Sequence, residues 1–524
     1  MGERAVSAPR RSGPPSWRLQ PPHDKLAQGL VVSGFASLPT GRALFLSFEW
    51  SRSPPTGGGA WLKALEAVAP VTDADGEEPR AAALALTWSG LQRMALPQEA
   101  LASFDRPFQE GMFQEDRLRR LGDRRHDRWL ETVVEGGPRW SGNTPPADPE
   151  LGERQIRTPL SVHALLLLYT PDEPSAEQWC QQVCEALAPH NVREVHRLNL
   201  DLRFDEHGVA REHFGFADGI SQPLPYEKGA VAFSDGRPVT PQSDPWNAVP
   251  LGEVLMGHPN GNHETAPGPL VPDSKAGRDA KLAPHAEAES FLDLGRDGSY
   301  MVVRELRQHV AQFWQALEAA AEKMRADDAA GSAAVTADWI AARVVGRDRD
   351  GHLLRPGGAL PPDAYGLPEN AFGFFDGDRR GYGCPLGAHV RRGNPRDGLA
   401  PTAADKTTLL EAAKNHRFLR RGRKFGPTIA QRDQDDKQDR GLLFVALSTD
   451  ITRQFEFVQQ TWVLNPNFAR LYDETDPLIG PKGTMTIQED PLRRIIAVDT
   501  FVQMAGGEYF FLPSLPALRY LAVL

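Results

Sequence analysis

Leu44, Leu46, Phe48 and Trp50 recur at every second position, the period of a strand with one buried face. The order of elements after this strand constrains the fold more than any single segment. Residues 61–68 predict a short helix after a Gly-rich turn, and residues 83–88 predict a strand. Residues 162–169 predict an apolar strand, and residues 175–187 a helix for which Ser175 is the expected cap. Residues 192–204 predict another strand, with apolar Val195, Leu198, Leu200, Leu202 and Phe204. Strand-helix-strand-strand-helix-strand is the order of a ferredoxin-like α+β unit.

The chain has 524 residues, too many for one ordinary core. A second, more interrupted unit of the same kind is expected near the end. There, 300–304 reads as a strand, and Val310, Phe313, Trp314 and Leu317 form a helical stripe. A strand at 442–447, a helix at 451–462 and a strand at 509–512 come next. The expected layout is therefore a flexible tail over 1–24, an N-terminal ferredoxin-like domain over 25–222, a long connection over 223–297 and a C-terminal ferredoxin-like domain over 298–524. Within the first domain, 104–157 reads as a polar stretch.

The net charge of −10 argues against a nucleic-acid partner, which needs a basic face. The local basic cluster of Arg417, Arg420, Arg421, Arg423 and Lys424 then suits a local anion. Three cysteines, Cys180, Cys184 and Cys384, give no disulfide framework, and the first two read as structural residues of one helix. Arg10-Arg11 is followed by Ser-Gly-Pro-Pro instead of an apolar run, so no export signal is read there. The longest apolar run, 164–169, is far too short to span a bilayer. The expectation is a soluble, cytoplasmic protein without a membrane partner.

Three segments carry chemistry. Phe214-Gly215-Phe216-Ala217-Asp218-Gly219 brackets an Asp between two glycines, which permit tight turns and close backbone approach. Taken alone it is either a polar turn or an Asp projected into a cavity. Cys384-Pro385-Leu386-Gly387-Ala388-His389-Val390-Arg391 places one His among small and apolar residues. Such a His suits a haem-iron ligand, and Arg396 could pair with a haem propionate. The alternative is a core histidine with surface arginines around it. Asn415-His416-Arg417-Phe418-Leu419-Arg420-Arg421-Gly422 reads alone as a solvated basic loop. His416 is a rival ligand, disfavoured by its basic neighbours.

Together and in this order, Gly-Phe-x-Asp-Gly, then Cys-Pro-x-x-Ala-His-x-Arg-x-x-Asn-Pro-Arg, then Leu-Arg-Arg-Gly resemble the signature of the dye-decolorising (DyP-type) haem peroxidases. The likeness extends over 24–524, through 24–50, 441–462 and 506–513, and is nearest to the longer bacterial members. It implies two ferredoxin-like domains with one haem b per chain, held in the C-terminal domain near the domain junction. His389 is implied as the iron ligand, Asp218 as the distal acid–base and Arg420 as the distal arginine, both of these beside the haem. Lys424-Phe425-Gly426 departs from the trio the family often carries after Arg-Arg-Gly-x, which puts the local pocket shape in question. His389 and Arg420 are 31 residues apart, and Arg421 is the substitute if the register slips by one.

The implied activity is reduction of hydrogen peroxide through a ferryl haem, with oxidation of dyes, phenols or similar small reductants. Glu456 is the candidate partner for the second nitrogen of His389. Trp462 is the candidate for passing oxidising equivalents to bulky substrates, against a plain core role. Two other classes stay open: a haem-handling protein on the same fold, either a carrier or one that releases iron or haem, which would need His389 but not Asp218 or Arg420, and a non-haem metal hydrolase using scattered histidines such as His258 and His263. The oligomeric state is not legible.

Overall fold

The computed structural model describes residues 16–50, 57–76, 79–126, 128–142, 159–206, 208–359, 370–490 and 493–524. In chain order its main elements are β1 (Thr40–Phe48), α1 (Ala60–Val68), β2 (Ala81–Leu86), β3 (Ala164–Thr170), α2 (Glu173–Leu187) and β4 (Val192–Asp201). After these come β5 (Ser299–Gln308), α3 (Val310–Asp327), α4 (His389–Gly393), β6 (Arg423–Phe425), β7 (Gly441–Ser448), β8 (Val502–Leu512) and α5 (Leu515–Leu521).

The first four strands lie in the order β4-β1-β3-β2, and the last four in the order β8-β5-β7-β6. Both are the antiparallel arrangement of a ferredoxin-like α+β unit. The two sets belong to one sheet. β4 pairs β6 through Lys424↔Asp201 and Phe425↔Leu200, and β2 meets β8 at Phe511↔Leu86, so the eight strands form a ring.

Closure explains why β1 does not have the single buried face that its alternation predicts. Leu44, Leu46 and Phe48 pack outward against Trp61 and Leu65 of α1 and Trp179 and Val183 of α2. Ala43 and Phe45 point inward, where they meet Leu165 and Leu167 of β3, Met301 and Val303 of β5, and Phe510 of β8. The strand is buried on both sides because the ring interior is itself a core. Gly506 permits one close approach in that interior: a Cβ there would lie 2.3 Å from the Trp140 indole nitrogen.

Other expectations shift in detail. Trp50 lies beyond the end of β1. The cap of α2 is Asp172, which accepts from the Ser175 amide at 2.8 Å, so Ser175 is a first-turn donor and not the cap. The last predicted strand of the first unit stops at Asp201. Of the expected tail, residues 1–15 lie outside the described residues, whereas Trp17–Leu19 forms a strand paired with Val231–Phe233. Residues 223–297 are more than a bare connection, since Leu270–Pro272, Ala283–Pro284 and Phe291–Asp293 make a three-stranded sheet. The polar stretch at 104–157 contains the helices Arg106–Glu110 and Glu115–Arg120, with 127 and 143–157 outside the described residues. The helix expected at 451–462 is two turns of the wide π type, Thr452–Glu456 and Val458–Val463, a form often found at functional sites. Among the described residues no helix is long and apolar enough to cross a membrane.

Candidate active site

A cavity of about 330 Å³ is walled by side chains from all three motif segments, including Asp218, His389, Arg396 and Arg420. Its apolar lining includes Phe372, Phe444, Ile479 and Met504.

His389 opens α4, directly after the buried Ala388. Its Nδ1 donates to Oδ2 of Asp476 at 2.9 Å. The ring is 32% accessible, and that accessible side is on the cavity. Asp476 is fully buried, and its other oxygen accepts from the Leu478 and Ile479 amides at 2.9 and 3.0 Å. Burial disfavours its charge, but the His389 partner, Arg392 and the Ile479 amide hold its pKa below the ordinary value. Burial likewise opposes charge on His389, and Asp476 overrides it, raising the imidazole. In the neutral ring the Nδ1 bond leaves Nε2 free of the proton and available as a lone-pair donor.

Asp476, not Glu456, is therefore the carboxylate behind His389. Glu456 is engaged elsewhere, with Arg117 and with the Tyr509 hydroxyl, which donates to it at 2.9 Å. Asp476 lies 87 residues beyond His389 in a loop without periodic pattern, so no local signal marks it.

The arginines beside His389 are not surface residues. Arg391 donates to the Asp378 and Cys384 carbonyls at 2.9 and 3.0 Å. Arg392 reaches the carbonyls of Trp462, Val463 and Asn465 at 2.8 to 3.2 Å. It also donates to the Glu474 carbonyl at 2.6 Å, two residues before Asp476. One guanidinium thus ties the His389 helix, the end of the π segment and the Asp476 loop together.

Asp218 sits in a turn built around Glu212. The Glu212 carboxylate accepts from the Phe214 and Phe216 amides at 2.8 and 2.7 Å and from Gln308 at 2.7 Å. Gly215 takes φ 96° at the bend, a conformation that other residues rarely adopt. Asp218 and Gly219 are exposed, and the Gly219 amide donates to the Asp218 carboxylate at 2.6 Å. Gln222 clamps this segment to the third motif: its side chain receives the Arg420 amide at 3.0 Å and donates to the Arg420 carbonyl at 3.1 Å.

The basic cluster divides by function. Arg417 and Arg420 line the cavity. Arg421 is spent on the Leu30 and Val31 carbonyls at 2.8 and 2.7 Å, and Arg423 on the carbonyls of Gly34, Phe35 and Leu38 at 2.7 to 2.8 Å. Only part of the cluster therefore faces an anion site. Burial lowers the pKa of Arg420, opposed by the charge of Asp218.

The donor set fits haem. Arg417 is buried, and among the described residues one of its guanidinium nitrogens, Nη2, has no hydrogen-bond partner. Burial, with the charge of Arg420 added, pushes its pKa down to about 9. Burial and repulsion from Arg417 and Arg347 also depress Arg396, whose Nη1 holds the Asn370 and Phe372 carbonyls at 2.8 and 2.9 Å. An uncompensated buried cation is costly, and the carboxylates of a bound haem would supply the missing charge. Arg417 and Arg347 escaped sequence reasoning as individual site residues because nothing local separates a cavity arginine from a scaffold one.

The rival residues are placed differently. His416 also lines the cavity, but its ring stacks on Phe457 at 3.7 Å and its Nδ1 bonds the Arg453 carbonyl at 2.5 Å. The Trp462 ring is buried at 6% exposure, edge-on to His416 at 5.1 Å, so it presents no face to a bulky substrate. His258 joins His23 and Asp297 in a separate group that does not include His263.

No protein-family model matches the chain. The multifunctional dye peroxidase DyP2 of Amycolatopsis sp. is 31% identical over 393 residues, covering 72% of this chain and 74% of that one. The dye-decolorizing peroxidase msp1 of Mycetinis scorodonius is 29% identical over 391 residues, covering 68% and 66%. Among solved structures, the Anabaena sp. DyP-type peroxidase superposes with a TM-score of 0.66 at 23% identity, covering 95% and 94%. A dye-decolorizing peroxidase in complex with 2,6-dimethoxyphenol superposes with a TM-score of 0.65 at 24% identity, covering 96% and 99%. These likenesses define the class as a haem-dependent peroxidase on a ferredoxin-like α+β fold. Within that class the chain belongs to the dye-decolorizing peroxidase family. The carrier and hydrolase readings are not favoured.

Proposed function

We propose that this peroxidase reduces hydrogen peroxide at one haem b, bound in the C-terminal of two ferredoxin-like domains near their junction, and oxidises dyes and phenols. The paired strand orders support domains over 25–222 and 298–524. The observation that carries the site assignment is His389, facing a cavity with its Nδ1 locked by buried Asp476, while Asp218 and Arg420 line the same cavity. His389 Nε2 would ligate the iron, and Arg396 and Arg417 would hold the propionates. The haem supplies the iron and the porphyrin that accept oxidising equivalents from peroxide.

The chain's own residues handle protons and charge. The Asp218 carboxylate takes a proton from bound peroxide and returns it to the departing oxygen, directly or through one water. The Arg420 guanidinium stabilises negative charge developing on that oxygen. The Asp476 carboxylate keeps the His389 ring oriented and electron-rich.

His389→Ala is expected to abolish the native Soret band, while His416→Ala retains it. Asp218→Asn and Arg420→Leu are expected to keep the band, with at least one slowing the peroxide-driven spectral change by about 10²-fold or more in stopped flow. Native rates in both variants, or loss of the band only in His416→Ala, overturn the assignment.

A further inference from the structure

Outside the cavity, three side chains from distant parts of the chain converge. His23 lies in the short turn after the first strand, His258 follows the turn Leu251–Glu253, and Asp297 lies just before β5. The Asp297 carboxylate oxygen Oδ1 is 2.9 Å from His23 Nδ1 and 2.8 Å from His258 Nε2. All three candidate ligand atoms lie within 4.8 Å of one another. None of the three residues lines the cavity.

We propose that His23, His258 and Asp297 bind one divalent transition-metal ion of the Zn²⁺ type, with Glu227 orienting His258. The ligand set is two imidazoles and one carboxylate, which suits Zn²⁺ and its neighbours and not the all-oxygen preference of Ca²⁺ or Mg²⁺. Glu227 Oε2 lies 2.8 Å from His258 Nδ1. That contact repeats the carboxylate–histidine pairing behind metal-bound imidazoles; without the ion Nε2 carries a proton shared with Asp297, and an ion that displaces this proton gains the Nε2 lone pair.

His258 and Asp297 are each 2% exposed, and His23 is 14% exposed, so the site is buried with one side open to a water ligand. Bond lengths of about 2.0–2.1 Å in a tetrahedral shell require ligand atoms about 3.3 Å apart. The two contacts to Asp297 Oδ1 must therefore lengthen by roughly half an ångström from 2.8 and 2.9 Å, and His23 is the least enclosed member. A bound ion would staple the segment that carries His23 to the two loops that carry His258 and Asp297.

The competing occupant is a proton. Burial disfavours charge on His258, yet Asp297 and Glu227 together raise its pKa to about 9. Binding measurements decide between ion and proton. Haem-loaded enzyme is stripped with chelator, equilibrated with micromolar Zn²⁺, and assayed for zinc and haem iron by elemental analysis. One Zn²⁺ per chain is expected. Affinity should fall at least tenfold in His23→Ala and in Asp297→Asn, and by about 10–100-fold in Glu227→Ala, with the Soret band unchanged.

Zinc-edge X-ray absorption of the wild type gives a reading that depends on no variant, and two imidazoles in the ion's shell are expected. Absence of stoichiometric zinc, wild-type zinc content in His23→Ala, or a shell without imidazole overturns the proposal.

Discussion

At the scale of single residues, Glu212 shows how a site is set by a group that the motif itself omits. Its carboxyl is raised from 4.5 to about 7, by burial first and then by the charge of Asp218, against the amides and Gln308 that it serves. Between those two values the folded chain holds a proton that the unfolded chain has released. This group's contribution to stability therefore falls as pH rises from 4.5 to about 7 and is level above that, by a few kcal/mol at most. Glu212→Gln should flatten the slope of unfolding free energy against pH across this window, as measured by urea denaturation. An unchanged slope would show that Glu212 titrates as in the unfolded chain.

At the scale of elements, the joint between α4, the π segment and the Asp476 loop rests on Arg392. Removing a buried cation that serves several carbonyls strands those acceptors in the interior. Arg392→Ala should destabilise the fold by about 3 kcal/mol or more. Arg392→Lys should rescue little of it, because one ammonium cannot span the fork. Equilibrium unfolding and haem retention report both effects. Trp462 belongs to the same joint. Because its ring is buried against His416 and Phe457, Trp462→Phe should leave the ratio of anthraquinone-dye to phenol turnover unchanged. A selective loss of dye turnover would restore the oxidising-relay role for this indole.

At the scale of the whole molecule, the seams between the two four-strand sets are short, yet the core inside the ring is shared by both. Phe45 of β1 is fully buried against Trp140 at 4.5 Å and His196 at 5.0 Å, within the cluster that holds Met301, Val303 and Phe510. Phe45→Ala should cost about 3–5 kcal/mol. Intrinsic fluorescence and far-ultraviolet circular dichroism should report the loss as one shared shift of the unfolding transition. Two separated transitions would mean that the strand sets fold independently.

The sequence alone determined most elements of the two strand sets and the candidates for the reacting groups. Periodicity located β1, β4 and α3, and the order of elements specified a ferredoxin-like unit, because both arise from local side-chain spacing. The ordered motifs singled out Asp218, His389 and Arg420, since their glycines, prolines and arginines lie within a few residues of each. Ring closure, burial of β1 on both faces, Asp476 in place of Glu456, and the division of the basic cluster were decided only by the tertiary structure. Each depends on residues far apart in the chain. The physical reason is that a carboxylate, a guanidinium or a strand face takes its role from what burial places beside it, and local pattern carries no record of that neighbour.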